Sequence, residues 1–312
     1  MSEELDDLNR LFTSKNVEDV IKFYDHFDTA EQLIEWMKNR PTAQMKIYEV
    51  EGDKDIVVVI PTANHEGELA KNCANNIFKG QQIVFVESSG PFFNYARSCN
   101  YGLKYALKYN PKWIILSNDD VVSADNFNKL ADELQKSKAN DVIYVANLER
   151  WGNLLLVKRS NLFSMCEKFI GGHKDYVKVL NKFSINYQMF TDSTYKKDIK
   201  SIIRTFIINF LNKSILKIRF SGDFIVFSNF SIYKLLNNFN RLFDENFINC
   251  CEDNDLFIRF RMLNIKIFTL HYNIKLQISG TLGKGKANSL RGLASMTLFD
   301  KKIKNDYNSF LS

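Results

Sequence analysis

The spacing of apolar residues divides the first third of the chain into two patterns. In the first pattern apolar positions recur at helical spacing, as in Val20, Phe23 and Phe27, and Pro41 ends the run. We therefore predict two or three short helices, and assign residues 1–45 to an N-terminal helical appendage. A docked helical hairpin is favoured over a free adaptor.

Continuous apolar runs replace the helical spacing from residue 56 onward. The runs at 56–60, 83–86 and 113–116 read as strands buried on both faces, and segments with helical spacing at 66–79 and 94–109 separate them. This alternation predicts an α/β fold with a mostly parallel central sheet flanked by helices. Because ligands of such sheets bind outside the carboxyl ends of the strands, we expect functional residues directly after the strands.

The rest of the chain continues with helices and strands. Val142–Ala146 and Leu154–Val157 read as a β-hairpin that turns near Trp151. We assign residues 46–300 to the α/β domain and residues 301–312 to a C-terminal tail. Further predicted elements are a helix at 124–137, a strand at 222–228, and helices at 229–239 and 252–263.

Charge is distributed unevenly along the chain, although the net charge is only +6. Residues 1–55 hold 7 Lys/Arg and 14 Asp/Glu, so residues 56–312 carry +13, and residues 152–220 alone hold 13 Lys/Arg against 4 Asp/Glu. A basic body favours an anionic partner such as a nucleotide or a phospholipid surface. No motif for RNA or DNA binding is visible, so nucleic acid is not the expected partner.

Several features indicate a cytoplasmic protein. The chain has five cysteines, an odd number, with no CxxC spacing, which is typical of a reducing compartment. The first ten residues, MSEELDDLNR, are acidic where a signal peptide would be basic and then apolar. No apolar stretch reaches the ~20 residues that cross a bilayer. We therefore expect a cytoplasmic location, with peripheral membrane contact as an option.

Two acidic pairs could carry chemistry. Asp119 and Asp120 directly follow the third strand, where hard oxygen ligands suit Mg²⁺ or Mn²⁺; a plain Asn-Asp-Asp turn is an equally weighted reading. Glu252 and Asp253 begin a helix, where acidic side chains are also favoured simply because they interact well with the positive end of the helix dipole. The alternative function is a general base that takes a proton from an acceptor hydroxyl.

A third candidate is the start of the helix after the second strand. Asn94, Arg97, Asn100 and Gly102 interrupt an otherwise amphipathic pattern there. A capped helix explains Asn94, but it does not explain the pairing of Asn100 with Gly102.

Taken together, these segments resemble a family-2 glycosyltransferase with the GT-A fold, over roughly 56–282. The segments, in order, are Pro61–Glu66, the strand ending at Glu87, FNYARSCNYGLKYA (93–106), WIILSNDDVV (113–122), FDEN (243–246) and CEDNDLFIRF (251–260). The resemblance implies an inverting transferase that uses a nucleotide-sugar donor and a divalent metal, Mn or Mg.

The resemblance also implies roles for individual residues. Asp253, with Glu252 beside it, is implied as the catalytic base, and Asp119 and Asp120 as metal ligands. The residues implied to bind the nucleotide-sugar are Thr62, Asn64, Glu66, Glu87, Arg97, Asn100, Gly102, Asn118, Asp119 and Lys284.

The chain departs from the family's pattern at three places. Ser117 stands where the first acid of the metal motif is expected, and Glu87 stands where the base-reading Asp is expected. Where many members of the family have a histidine after the last strand, this chain has a basic loop that is rich in glycine and contains Lys284. This loop could close over the diphosphate, and a mobile basic loop without a ligand is an equally weighted reading.

Residues 160–220 form a basic insertion between the two acidic pairs, on the expected acceptor side. Within it, the segment 196–220 has seven basic residues, one acid and an apolar helical face. Such a helix suits an anionic membrane surface, although packing on the catalytic domain is the favoured reading. We expect the acceptor to be a glycan or a lipid-linked glycan precursor.

Two other functions stay open at this point. A nucleotidyltransferase of similar fold would need a Gly-rich phosphate loop after the first strand, where the chain has only Gly67. A catalytically degenerate protein that binds sugar or nucleic acid would explain Ser117 and the basic body.

Overall fold

The computed structural model describes residues 2–137, 140–148, 154–159, 174–191, 216–218, 222–248, 250–277 and 285–308. The α-helices are α1 (Ser2–Thr13), α2 (Val17–Asp25), α3 (Ala30–Lys38), α4 (Glu68–Asn72, continued by a π-turn at Cys73–Ile77), α5 (Tyr95–Ala106), α6 (Phe127–Gln135), α7 (Lys174–Lys182), α8 (Asn229–Phe239), α9 (Glu252–Met262) and α10 (Lys286–Asn305). The strands are β1 (Lys46–Val50), β2 (Asp53–Thr62), β3 (Gln81–Glu87), β4 (Trp113–Ser117), β5 (Val121–Ala124), β6 (Val142–Leu148), β7 (Leu154–Lys158), β8 (Tyr187–Thr191), β9 (Leu216–Ile218), β10 (Phe224–Ser228) and β11 (Lys266–Leu276).

An eight-stranded sheet, in the order β1-β3-β2-β4-β10-β6-β11-β5, forms the centre of the fold. The α/β prediction is confirmed, but the expectation of a mostly parallel sheet is wrong because the sheet is mixed. Among the strands that the structure describes in this sheet, the parallel pairs are β3–β2, β2–β4 and β6–β11, and β10 runs antiparallel to both β4 and β6. An apolar run buried on both faces looks the same whichever way its strand runs.

The predicted hairpin between β6 and β7 is also wrong. β6 pairs with β10 and β11 in the large sheet, whereas β7 is the middle strand of a second, three-stranded sheet with β8 and β9. The two strands are consecutive and both apolar, but each finds its partners elsewhere. β9 also corrects the helix predicted over 196–220, because Leu216–Ile218 pairs antiparallel with β7; residues 196–215 lie outside the described part of the chain.

Helix α5 packs closely on the face of the large sheet. A β-carbon at Gly102 would lie 2.4 Å from Cγ1 of Val59 and 2.6 Å from Cγ2 of Val86, distances that no side chain tolerates. Glycine at position 102 therefore lets α5 approach β2 and β3. This contact fixes the helix start near the carboxyl ends of the strands.

The three N-terminal helices share the main hydrophobic core. Asn16 caps α2, and Thr29 forms a capping box with Gln32 at the start of α3. Val20, Phe23 and other apolar residues of these helices are buried in that core. Helices α2 and α3 pack against α10, and the hydroxyl of Tyr24 donates to the carbonyl of Leu290 at 2.6 Å.

Helix α10 extends to Asn305, into residues 301–312 that the sequence analysis assigned to a tail, and Tyr307 beyond the helix is buried. Its Lys302 lies 2.7 Å from Oδ2 of Asp244 and also pairs with Asp255, whose side chain is fully buried. Arg259 pairs with Asp255 at 2.9 Å. In the described residues, no helix has the length and apolar character needed to cross a bilayer.

Candidate active site

Two carboxylates lie directly after β4, at the edge of the sheet where β2 and β4 end side by side. The hydroxyl of Thr62, the last residue of β2, donates to Oδ2 of Asp119 at 2.7 Å. Burial raises the pKa of Asp119. Burial, together with the negative charges of Asp223 and Asp119, raises the pKa of Asp120 to about 6. These acids are held where their charged form is disfavoured unless a cation is present.

The second acidic pair begins helix α9. Glu252 and Asp253 follow Cys251, whose backbone lies in the left-handed region at φ 75° and turns the chain into the helix. Burial is the main cause that raises the pKa of both carboxyls. The negative charge of Asp253 raises the pKa of Glu252 further, and the negative charge of Asp223 raises the pKa of Asp253 further. A carboxylate with a raised pKa is a stronger base than a solvated one.

A hydrogen-bonded bridge joins the strand end before Asp119 to the helix that carries Asp253. The side-chain amide of Asn118 donates to Oδ1 of Asp223 at 2.9 Å, and the backbone N–H of Asn118 donates to the carbonyl of Asp223 at 3.0 Å. The preceding residue, Gly222, directs its N–H at Oδ2 of Asp253 at 3.4 Å. The hydroxyl of Tyr95 contacts both Oδ1 of Asn118 (2.7 Å) and the carbonyl of Gly222 (3.2 Å).

A third group of side chains lies at the ends of β2 and β3. Oε2 of Glu87 accepts the backbone N–H of His65 at 3.0 Å and lies 2.6 Å from its Nδ1. These hydrogen bonds lower the pKa of Glu87. The His65 ring stacks on Tyr48 of β1, with ring centroids 3.4 Å apart. Asn64 and Glu66, in the same loop, are exposed, and Oδ1 of Asn64 accepts the N–H of Glu66.

Three polar residues of the α5 region, Asn94, Arg97 and Asn100, bind the segment 243–247 rather than the acidic pairs. Nε of Arg97 lies 3.2 Å from Oε2 of Glu245, and the amide of Asn100 donates to the carbonyl of Phe243 and to Oε1 of Glu245, both at 2.9 Å. Asn94 caps the helix and donates to the carbonyls of Glu245 and Phe247. The structure thus gives Arg97 and Asn100 protein partners, and Gly102 a packing position against the sheet.

The structure therefore sorts the candidate residues into groups. It brings Thr62, Asn118, Asp119, Asp120 and Asp253, with Glu252, into one connected arrangement. Glu87 is paired with His65 in the neighbouring loop. Arg97, Asn100 and Gly102 have the separate contacts described above, and Lys284 lies outside the described residues.

Sequence reasoning did not find Asp223, Gly222, Tyr95, Tyr48 or His65. A Gly-Asp pair directly before the buried strand β10 was the available signal for Gly222 and Asp223. Tyr95 lies inside a segment that was already noted. Tyr48 offered no signal, because strand β1 itself was not predicted.

The fit of these residues to a divalent cation is partial. Oδ1 of Asp120 is buried and has no hydrogen-bond partner among the described residues, which is consistent with a role as a metal-ligating oxygen. Within the described ranges, however, no group of three or more His, Cys, Asp or Glu is placed to hold a metal ion. Ser117 is buried, and its hydroxyl donates to the carbonyl of Asn118 at 3.0 Å. A pair of carboxylates of this kind would suit a cation such as Mg²⁺, which keeps several of its waters when bound.

Comparison of the chain with protein-family models, with curated proteins and with solved structures gives no match in any of the three. The structure is that of an α/β protein with a large, curled, mixed sheet flanked by helices, and with a cluster of acidic residues beyond the ends of the inner strands β2 and β4.

Proposed function

We propose that the protein is an inverting glycosyltransferase with a GT-A type of catalytic domain, which moves a sugar from a nucleotide-sugar donor to an acceptor hydroxyl. The observation that carries this proposal is the bridge from Asn118 through Asp223 and Gly222 to Asp253. It connects the acids suited to a diphosphate and its cation with the acids suited to deprotonating an acceptor.

Asp253 is the general base of the proposed reaction. Its carboxylate takes the proton from the acceptor hydroxyl as the acceptor oxygen forms a bond to the anomeric carbon. The bond from that carbon to the diphosphate breaks on the opposite face, so the configuration inverts and the electron pair leaves with the nucleoside diphosphate. The raised pKa of Asp253 suits this role, because the base then accepts a proton more readily. Glu252 lies beside it, and burial together with the charge of Asp253 raises the pKa of Glu252 to about 8.

Asp119 and Asp120 would hold the divalent cation, Mn or Mg, which when bound would neutralise the charge of the departing diphosphate. Thr62 fixes the orientation of Asp119 through its 2.7 Å hydrogen bond. We assign the nucleoside to the loop that contains Asn64 and Glu66, next to the Glu87–His65 pair. The exposed amide and carboxylate of that loop offer hydrogen-bonding groups to a base or a ribose.

The acceptor in this proposal is a glycan or a lipid-linked glycan precursor. The basic composition of residues 160–220, between the two acidic pairs in the sequence, supports an anionic or membrane-bound acceptor. This part of the proposal includes a cytoplasmic location with peripheral membrane contact through 196–220.

The test is a panel of nucleotide-sugars (UDP-, GDP-, dTDP- and CMP-linked), assayed with Mn²⁺ for hydrolysis and for transfer to glycan acceptors. Asp253→Asn should lose at least a hundredfold in turnover while it still binds the nucleoside diphosphate, measured by thermal shift. Asp125→Asn is the control, because Asp125 binds Asn273 and Lys129 at the end of β5.

Wild-type turnover in Asp253→Asn would contradict the base assignment. Release of pyrophosphate from a nucleoside triphosphate would favour a nucleotidyltransferase, and binding without turnover would favour a degenerate protein.

A further inference from the structure

We infer that Asn254 is a positioning residue of this site, which holds Oδ1 of Asp253 and so leaves Oδ2 as the oxygen that takes the proton. The inference rests on the proposed function, because it names the reacting atom of the same general base. The resemblance gives roles to Glu252 and Asp253 but none to Asn254.

Asn254 makes two hydrogen bonds to a single oxygen of its neighbour. Its backbone N–H donates to Oδ1 of Asp253 at 2.8 Å, and its side-chain amide donates to the same oxygen at 3.1 Å. A carboxylate oxygen has about two lone-pair sites, so these two donors fill Oδ1. Two donors on one oxygen also limit the rotation of the carboxylate about the Cβ–Cγ bond of Asp253.

The other oxygen of Asp253 is held much less firmly. The nitrogen of the Gly222 N–H lies 3.4 Å from Oδ2, which is longer than the roughly 2.7–3.2 Å of an ordinary N–H···O bond. Oδ2 therefore keeps lone-pair density for an acceptor hydroxyl. As the acceptor oxygen bonds to the anomeric carbon, its O–H bond breaks and the proton forms its new bond with Oδ2.

Burial separates the role of Asn254 from that of the base. Asp253 is half-buried, so a substrate can reach it, whereas Asn254 is 5% exposed and acts through Asp253. Oδ1 of Asn254 is buried and has no hydrogen-bond partner among the residues that the structure describes. A buried, unpaired amide oxygen is destabilising, and asparagine is a poor helix former. Stability alone would favour an apolar residue here, so the amide indicates a function in the site.

The experiment compares Asn254→Leu with Asn246→Leu. Asn246 binds Oδ1 of Asp244 in the same manner, through its backbone N–H at 3.2 Å and its side-chain amide at 2.9 Å. Leucine branches at the same carbon as asparagine but has no donor. The backbone bond stays in both variants, so each loses only the bond of the side-chain amide. Asn254→Ala is a second variant, which removes the donor without adding bulk.

Melting temperature is measured without substrate, and kcat and the donor KM are measured with the nucleotide-sugar and Mn²⁺ that the wild-type protein uses. In both Asn254 variants we expect kcat to fall about tenfold with the donor KM within about threefold, because the base loses its orientation while the donor keeps its contacts. The melting temperature of Asn254→Leu should stay within about 2 °C of the wild type or exceed it, because the unpaired oxygen is removed together with the bond.

Asn246→Leu should show the opposite pattern. Its amide is half-buried and its partner Asp244 belongs to the ion pair with Lys302. We therefore expect a melting temperature about 2–4 °C below the wild type, with kcat unchanged. Equal losses of kcat in Asn246→Leu and Asn254→Leu would overturn the inference, as would wild-type kcat in both Asn254 variants.

A double variant tests whether Asn254 acts through the base. Asp253→Asn combined with Asn254→Leu should keep the residual turnover of Asp253→Asn alone, because the carboxylate that Asn254 holds is already gone. A further tenfold loss in the double variant would contradict the inference. If the wild-type protein turns over no nucleotide-sugar, the proposed function fails and the inference fails with it; an active wild type with an unaffected Asn254→Leu removes the inference alone.

Discussion

Gly222 and Asp253 lie so close together that a side chain at position 222 would contact Asp253, the proposed base. Oδ2 of Asp253 lies 3.4 Å from the N–H nitrogen of Gly222, and a β-carbon added at Gly222 would lie 3.1 Å from Cβ of Asp253. Such a separation is tighter than ordinary van der Waals contact, so one of the two residues would have to move.

Gly222→Ala should therefore displace Asp253 by a few tenths of an ångström. We expect turnover to fall about tenfold, because small misplacements of a reacting group are costly, while the melting temperature changes little. The measurement is steady-state turnover of a nucleotide-sugar, paired with thermal unfolding. Gly292→Ala is the matched control, since a β-carbon there would lie 3.6 Å from Sγ of Cys250, an ordinary contact, on helix α10. Equal losses in both variants would contradict a specific effect at Asp253.

Asp120 should make the protein's stability depend on pH and on divalent cations. Its pKa in the folded state, about 6, is above the ordinary value of 3.8, so the folded state binds the proton more tightly than the unfolded state. The stability that this proton provides is complete below about pH 4 and is lost as the pH rises through 6. Asp120→Asn should thus be more stable than the wild type by about 1–2 kcal/mol at pH 7, and equal to it near pH 4.

Thermal unfolding over pH 4–8, with and without Mn²⁺, measures this effect. Mn²⁺ should raise the melting temperature of the wild type at pH 7 and have little effect on Asp120→Asn, because the proposed cation would bind the folded state through that carboxylate. A constant difference between the two proteins at all pH values would contradict the assignment.

The stacked pair of Tyr48 and His65 should control nucleotide affinity. Tyr48 supports the His65 ring that is bonded to Glu87, so Tyr48→Ala would leave the side chains of His65 and Glu87 free to change orientation beside Asn64 and Glu66, the proposed nucleoside-binding residues. We expect the donor KM to rise about tenfold with little change in kcat, since binding rather than chemistry is affected. Tyr48→Phe keeps the ring and should behave as the wild type. A fall in kcat at unchanged KM would place this pair elsewhere in the mechanism.

Lys302 should be important for stability despite its distance in sequence from the acids that it binds. Its side chain is buried between Asp244 and Asp255, so Lys302→Ala leaves two buried carboxylates with one cation fewer each. The expected cost is about 3 kcal/mol, measured by urea unfolding. Lys301→Ala is the control, because Lys301 pairs with exposed Glu31 and should cost at most ~1 kcal/mol. Similar losses in the two variants would show that burial of the ion pair does not matter.

Several parts of the fold could be predicted because their signal is local. The strands β2, β3 and β4 are apolar runs, and helix α8 was predicted at 229–239, where the structure places it. Strand direction and partnership could not be predicted, because they depend on pairing. β6 and β7 illustrate this: each has an apolar pattern, yet the pattern does not say which sheet the strand joins.

The candidate site shows the same limit. The acidic pairs were visible because each is contiguous in sequence and follows or begins a clear element. Asp223 was not visible, since its significance comes from Asn118, 105 positions away, and an isolated Gly-Asp has no distinctive pattern. Arg97 and Asn100 were visible as polar interruptions of a helix, but their partner Glu245 lies in a distant turn, so their contacts could not be read from the helix alone.

The cluster around Asp255 has a consequence for how the protein is made. Lys302 and Tyr307, which both bind this fully buried carboxylate, follow strand β11 in the chain and are therefore synthesised after helix α9. Until then Arg259 on the same helix is present to pair with Asp255, but Lys302 and the hydroxyl of Tyr307 are missing, so burial of the Asp255 carboxylate is less favourable. A nascent chain that ends before Lys302 therefore lacks part of the charge balance around Asp255.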